Sequence, residues 1–288
     1  MIVVTGATGQ LGRLVINQLL SRGVLASGIV AAVRSPSKAS DLAARGVVVR
    51  EADYSRPATL EAAFAGAERV LLISSSELGQ RAAQHASVIE AAKKLGVRQL
   101  AYTSLLHADR SPMSLAVEHR DTEARIVASG LAYVLLRNGW YVENYLASLP
   151  VALEHGAFFG SAGAGKISWA PRADYADAAA VVLTQPIGSN RVIELAGDNA
   201  HTRADMAAEL SRQTGKPIHY VNMPRAEFSA ALLNAGLPTP VAELFAESDD
   251  HAARDALFDE DRQMSALIGR PTTPLSASVA AALAEVTG

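Results

Sequence analysis

Apolar residues in the first half of the chain fall into short unbroken runs at 2–4, 29–33, 47–49, 70–73, 100–102 and 133–136, rich in Val, Ile and Leu. A strand with one face in water would alternate apolar and polar residues, so these runs predict strands covered on both faces. Between the first two runs Leu11, Val15, Ile16, Leu19 and Leu20 recur at helical spacing, and Gly23 supplies a stop. Similar patterns predict helices at 58–65, 80–95 and 115–129, the last two ending at Gly96 and Gly130. This alternation predicts an α/β architecture: a doubly wound parallel-sheet Rossmann fold with right-handed crossovers and ligands at the carboxyl ends of its strands.

The rhythm changes after about residue 145. A hairpin is expected over 156–170, then a helix at 174–184, a strand at 191–197, a helix at 203–213 and a short extended run at 219–223. The expected division is a Rossmann domain over 1–150 and a smaller α+β C-terminal lobe over 151–288, placed on the substrate side. The two are partly interleaved, because 191–197 also suits an extra strand of the main sheet.

Composition narrows the function. Among 288 residues, 49% are hydrophobic and the formal net charge is −3. There is no run of five like charges, so nucleic acid and anionic membrane surfaces are not expected partners. The absence of cysteine excludes thiolate metal sites and cysteine nucleophiles and suits a reducing compartment. No basic leader precedes the first strand, and no apolar run nears the ~20 residues of a membrane span. A cytoplasmic protein without a membrane span is expected.

The chemistry begins at "GATGQLG", residues 6–12. Gly6 permits a tight turn after the first strand, Gly9 lets the backbone approach a phosphate, and Gly12 lets the following helix sit close. The loop residues Ala7, Thr8, Gln10 and Leu11 then border a pyrophosphate at the helix N-terminus. The spacing resembles that of extended or atypical short-chain dehydrogenase/reductases, which use NAD or NADP. At the end of the second strand, "VAAVRSPSK" places Arg34 and Lys38 where NAD-specific sites carry an acid, and this favours NADP, that is NADPH. Asp53, after the third strand, suits either the adenine amino group or the cap of the next helix.

Other chemistries fail on their own requirements. "GSAGAGKI" at 160–167 approaches a phosphate loop, but Ile167 stands where the magnesium-binding hydroxyl is needed, so a flexible hairpin over the active site is expected instead. The seven histidines form no HExxH pair, so no metal is expected, and there is no GxSxG elbow. The tyrosine and lysine four apart that serve most short-chain dehydrogenases as proton donor are absent.

The stretches "LLISSSELGQR" (71–81), "AYTSLLHAD" (101–109), "LLRNGWYVENYLAS" (135–148) and "RADYADAAA" (172–180) carry a more specific resemblance. They resemble the bacterial NAD(P)H:quinone oxidoreductases of the NmrA-like group of atypical short-chain dehydrogenases. The resemblance runs from residue 1 to the C-terminal "PTTPLSASV" and implies NADP binding without the tyrosine–lysine pair. It implies a strand order 3-2-1-4-5-6, which brings Ile73, Ser74, Ser75 and Ser76 beside the glycine loop. Thr103 and Ser104 then end the fifth strand near the nicotinamide, Ser104 at a position where the superfamily keeps a catalytic hydroxyl. Asn138, Gly139, Trp140 and Tyr141 border nicotinamide and substrate; His107, Asn144 and Tyr145 join Trp140 and Tyr141 on the substrate side. The aromatic residues also suit an ordinary core. His119 lies where related reductases carry a lysine and is a candidate proton donor, against the alternative of a helix-surface histidine.

The expected function is NADPH-dependent quinone reduction by direct hydride transfer, without flavin or metal. The alternative is an NmrA-like redox sensor that binds NADP without turnover. A homodimer is compatible with either.

Overall fold

Strands buried on both faces need cover from helices on both sides, and the apolar runs obtain it by alternating with amphipathic helices. The computed structural model describes residues 1–77 and 79–287. Its strands are β1 (Ile2–Thr5), β2 (Ile29–Val33), β3 (Val48–Glu51), β4 (Arg69–Leu72), β5 (Gln99–Leu105), β6 (Tyr133–Asn138), β7 (Ala157–Gly160), β8 (Arg191–Leu195) and β9 (His219–Asn222). The first six and β8 form one sheet in the order β3-β2-β1-β4-β5-β6-β8, and the first six pair with their neighbours in parallel. The order of the first six matches the expected doubly wound arrangement, with its switch point between β1 and β4.

The helices are α1 (Gln10–Ser21), α2 (Ser40–Ala44), α3 (Pro57–Phe64), α4 (Arg81–Lys94), α5 (Leu115–Ala128), α6 (Glu143–Leu146), α7 (Leu149–His155), α8 (Arg172–Thr184), α9 (Arg203–Thr214), α10 (Arg225–Asn234), α11 (Thr239–Ala252), α12 (Gln263–Ile268) and α13 (Leu275–Thr287). The buried face of α1 is Leu11, Gly12, Val15, Ile16 and Leu19, close to the face expected from spacing. Each of its large aliphatic side chains contributes about 1.5–3 kcal/mol on burial. Gly23, with φ +82°, terminates the helix.

The chain divides into two compact units, each discontinuous. The first comprises Met1–Ala108, Val117–Asn138 and Arg172–Glu194; the second comprises Asp109–Ala116, Gly139–Pro171 and Leu195–Gly288. Residues 139–150, expected with the Rossmann domain, thus cluster with the second unit, and 172–194, expected in the C-terminal lobe, return to the first. That return is built from contacts: α8 packs on α1, with Arg22 paired to Asp177. Arg69, at the start of β4, donates to the Leu183 and Gln185 carbonyls at 2.7 and 2.6 Å, satisfying acceptors at the C-terminus of α8.

The expected hairpin over 156–170 does not form. In the second unit β7 instead pairs in parallel with β9, Ala157 opposite His219 through Gly160 opposite Asn222. The glycine-rich stretch that follows is not a free flap. Ser161 N–H donates to Asp249 at 2.9 Å, Gly163 N–H to Asn222 at 2.8 Å and Lys166 N–H to Asp255 at 3.0 Å. A Cβ at Gly165 would lie 1.9 Å from the Ala252 carbonyl oxygen, so this glycine serves close packing.

Candidate functional site

The carboxyl ends of β1, β2, β3 and β4 surround a cleft of about 510 Å³ in the first unit. Its floor is the glycine loop. Gly6 turns at φ +57° and accepts from Gly9 N–H at 2.9 Å. A Cβ at Gly12 would lie 2.4 Å from the Gly6 carbonyl oxygen and 2.8 Å from Ala7 Cα, so only glycine lets α1 begin this close to the turn. The N-cap is Gly9, without a side-chain hydrogen bond, and no acid occupies the first turn of α1. The helix therefore presents its N-terminal N–H groups and positive dipole end without a protein anion to satisfy them.

Cations gather at the β2 side of the cleft. Arg34, Lys38 and Arg13 all line it. Arg13 is tied down by Nη2 donating to the Lys38 carbonyl at 2.8 Å and by an ion pair with Asp41, while Arg34 pairs with Glu77. An uncapped helix N-terminus beside three cations fits an anionic dinucleotide carrying an additional phosphate. Asp53 lines the same cleft but caps nothing: its carboxylate accepts from Ser55 N–H at 2.9 Å and from Arg56, and α3 has no side-chain cap. The Ser55 N–H, and after it Arg56, holds the Asp53 carboxyl below its ordinary pKa.

The opposite wall is Ile73, Ser74, Ser75, Ser76 and Glu77, held from behind by residues of three elements. Thr5 Oγ1 accepts from Ile73 N–H at 3.0 Å, Thr103 Oγ1 from Ser74 N–H at 2.9 Å, and His85 Nε2 from Ser75 N–H at 3.0 Å. Arg81 Nε donates to the Ser75 carbonyl at 2.8 Å. Tyr54 donates to the Ile73 carbonyl at 2.9 Å and lines the cleft.

Of the residues expected at the dinucleotide, Gly6, Thr8, Gly9, Gln10, Leu11, Gly12, Arg34, Lys38, Asp53, Ile73, Ser74, Ser75 and Ser76 are brought together here. Ala7 is fully buried beneath the loop, and Thr103 acts through Ser74. Arg13, Tyr54 and Gln84 line the cleft without having been anticipated. Arg13 was legible, since it follows Gly12 on the first turn of α1. The other two depend on α4 and on the loop after β3 folding back to the switch point, which no local pattern encodes.

The candidate proton donors have other partners. His119 is no surface histidine: it is 4% exposed, and its Nδ1 lies 2.7 Å from the Tyr102 hydroxyl. Burial, then the nearby Arg81 charge, lowers its pKa well below the ordinary value, so near neutral pH the ring is uncharged. The Ser104 hydroxyl donates to Glu123, whose carboxylate also accepts from Arg137 Nε and Nη2 at 3.0 and 2.7 Å. Arg137 Nη1 reaches Glu194 at 2.9 Å, and Glu194 in turn accepts His107 N–H at 2.9 Å. Burial pushes the Glu194 carboxyl up, but hydrogen bonds from His107 and Arg137 outweigh it and leave it below its ordinary value. His107 itself adopts φ +52°.

Asn138 closes β6 in the first unit, its carbonyl accepting Leu106 N–H at 2.9 Å. The other residues expected beside the nicotinamide or the acceptor, Gly139, Trp140, Tyr141, Asn144 and Tyr145, belong to the second unit. Gly139 N–H donates to the Leu195 carbonyl at 2.7 Å, Trp140 is buried, and half-buried Tyr141 bridges Ala170. Asn144 and Tyr145 line a separate cavity, where Tyr145 donates to Asp249 at 3.0 Å. Among the described residues no group of three or more acidic, cysteine or histidine side chains could hold a metal ion, and no helix is long and apolar enough to cross a membrane.

Comparison with known proteins agrees with the cleft. The chain is 56% identical to Quinone oxidoreductase 2 of Escherichia coli over 279 residues, 97% of each chain. It superposes on the Escherichia coli NADPH-dependent quinone oxidoreductase solved with NADPH at a TM-score of 0.95, with 55% identity over 98% of this chain and 100% of that one. The Citrobacter sp. triphenylmethane reductase complexed with NADP(H) gives a TM-score of 0.94 at 38% identity, over 98% and 100% of the two chains. The NAD(P)H-binding family matches residues 6–186, from the first glycine of the loop through the whole of α8. With its glycine loop, switch-point wall and full-length relatives in agreement, the chain belongs to the NAD(P)H-binding family.

Proposed function

We propose that the protein is an NADPH-dependent quinone reductase that works without flavin or metal. The observation that carries this is the full-length similarity to a quinone oxidoreductase, reinforced by the three cations at the β2 end of the cleft. In this reading the first unit is the nucleotide-binding part. The loop from Gly6 to Gly12 and the N-terminus of α1 hold the pyrophosphate, with Ala7 shaping the loop from beneath. Arg34, Arg13 and Lys38 hold the 2′-phosphate, Asp53 and Tyr54 flank the adenosine, and Ile73 with Ser74–Ser76 forms the facing wall.

When bound, NADPH supplies a hydride to the acceptor. The protein positions the two reactants and excludes competing water, while Thr103 fixes the wall through Ser74. Asn138, Gly139, Trp140, Tyr141, Asn144, Tyr145 and His107 are the acceptor-side candidates. With His119 neutral and the Ser104 hydroxyl directed to Glu123, solvent delivers the proton, which a quinone's stabilised two-electron product does not require in the rate-limiting step. A cytoplasmic location suits a cysteine-free reductase supplied with NADPH.

The test is steady-state oxidation of NADPH and NADH by 1,4-benzoquinone with flavin-free protein. Acceptor-dependent turnover with a lower KM for NADPH is expected. Tight NADPH binding with no acceptor-dependent oxidation would instead establish a sensor.

A further inference from the structure

An acid stands among the cations of the dinucleotide cleft. Of the two acids that line it, Asp53 is committed to Ser55 N–H and Arg56, whereas Glu77 pairs with Arg34. The partners come from opposite sides of the switch point. Arg34 directly follows β2 and Glu77 lies in the loop after β4, while β1, which leads into the glycine loop, runs between those two strands. The ion pair therefore bridges the two flanks of β1 at the end where the dinucleotide is expected.

Local structure holds the carboxylate ready for this contact. Glu77 Oε2 accepts from Gln84 Nε2 at 2.7 Å, and Gln84, on α4, is only 7% exposed. The Glu77 backbone N–H donates to Ser75 Oγ at 3.2 Å, and its carbonyl accepts Gln80 N–H at 3.1 Å. The other carboxylate oxygen, Oε1, is the one that meets Arg34 Nη1. A carboxylate already anchored by a buried amide loses little freedom on taking a guanidinium, which favours this pair over a contact between two unrestrained side chains. Arg34, with 67% of its side chain exposed, is the partner able to swing.

A pair whose two groups both touch water is of modest strength. Its effect falls on the nucleotide. A guanidinium that holds Glu77 must loosen that grip to turn its fork of donors to a 2′-phosphate. NADH makes no such demand, because it carries a hydroxyl at that position.

We propose that Glu77 sets the affinity for NADPH, as a built-in anion that occupies Arg34 in the nucleotide-free protein and competes with the 2′-phosphate for it. This rests on the 2′-phosphate role proposed for Arg34. The competition lowers affinity for NADPH and NADP+ alike, and so favours exchange of the oxidised cofactor over its retention. Exposed side chains reorient within about nanoseconds, so the pair shifts the binding equilibrium and is not a slow gate.

Glu77→Gln is the test, because its amide oxygen can still accept from Gln84 while the charge is lost. In fluorescence titrations of the full-length protein, the Kd for NADPH is expected to fall about three- to fivefold and that for NADH by less than about 1.5-fold. Glu77→Ala should show the same selectivity. In an Arg34→Ala background the gain from Glu77→Gln should disappear, since the competition acts through Arg34. An unchanged or raised Kd for NADPH, an equal gain for both nucleotides, or a full gain without Arg34 overturns the proposal. Failure of the underlying assignment registers separately, as equal losses of NADPH and NADH binding in the Arg34→Ala single variant.

Discussion

His85 Nε2 accepts the backbone N–H of Ser75 at 3.0 Å, while its Nδ1 lies 2.9 Å from the Thr122 hydroxyl. An acceptor at Nε2 fixes the proton on Nδ1, so the ring is neutral and serves as an anchor for the serine wall of the cleft. Burial, then the Arg81 charge, lowers its pKa from 6.5 to about 3. The unfolded chain therefore binds a proton that the folded one refuses between about pH 6.5 and 3. The stabilisation is whole above that window and is lost as pH falls through it, at about 1.4 kcal/mol per pH unit for one proton. Replacing His85 with Gln is expected to flatten this slope in chemical denaturation measured from pH 7 to 4, and to weaken NADPH binding several-fold. An unchanged slope would refute the assigned neutral state.

Arg34→Ala should weaken NADPH binding by roughly tenfold or more while barely altering NADH, because only the former carries a 2′-phosphate for the guanidinium to meet. Arg13→Ala should do the same more weakly, since Arg13 is also committed to Asp41 and the Lys38 carbonyl. Equal losses for both nucleotides in a fluorescence titration would remove the 2′-phosphate assignment.

Gly12→Ala forces a methyl group into the Gly6 carbonyl and Ala7 backbone. Backbone cannot rotate away as a side chain can, so a stability loss of about 1–3 kcal/mol is expected, together with loss of nucleotide binding. Thermal unfolding and a nucleotide titration read the two effects independently.

Arg137 neutralises both Glu123 and Glu194. Arg137→Met would strand two mostly buried carboxylates, at a cost of about 3 kcal/mol, the low end of the range for breaking a buried pair because each group keeps some exposure. The destabilisation should shrink as pH falls and Glu194, held below its ordinary pKa by His107 and Arg137, takes up a proton. A pH-independent loss would point to packing alone.

His119→Asn tests whether the buried ring donates a proton. With the imidazole already neutral, benzoquinone turnover is expected to fall by no more than about threefold, against the ~100-fold or greater loss that removal of a general acid brings. The pH profile of kcat should likewise show no limb near 6.5 that disappears in this variant.

Much of the dinucleotide cleft was legible because its parts are local. A turn, a helix start and a strand end each sit within a few residues, and the strand order then brings Ser74–Ser76 to Gly6 by topology. What escaped was long-range. The pairing of β7 with β9 joins segments about sixty residues apart, and a parallel pair carries no turn signature, so the local alternation near Phe158 read as a hairpin. His119 illustrates a different gap. Its neighbours Glu118 and Arg120 are polar, and only the folded position of the Tyr102 hydroxyl shows why a histidine is placed inward.

The seventh strand has a consequence for how the molecule is made. Because β8 completes the sheet beside β6, and α8 covers α1, the nucleotide-binding unit lacks an edge and part of a face until translation has passed Glu194. Two segments assigned to the other unit, 109–116 and 139–171, must leave the ribosome before then. The first unit therefore cannot finish folding ahead of those segments during synthesis, and a fragment cut at residue 150 would expose a bare strand edge and an uncovered apolar helix face, both of which invite self-association.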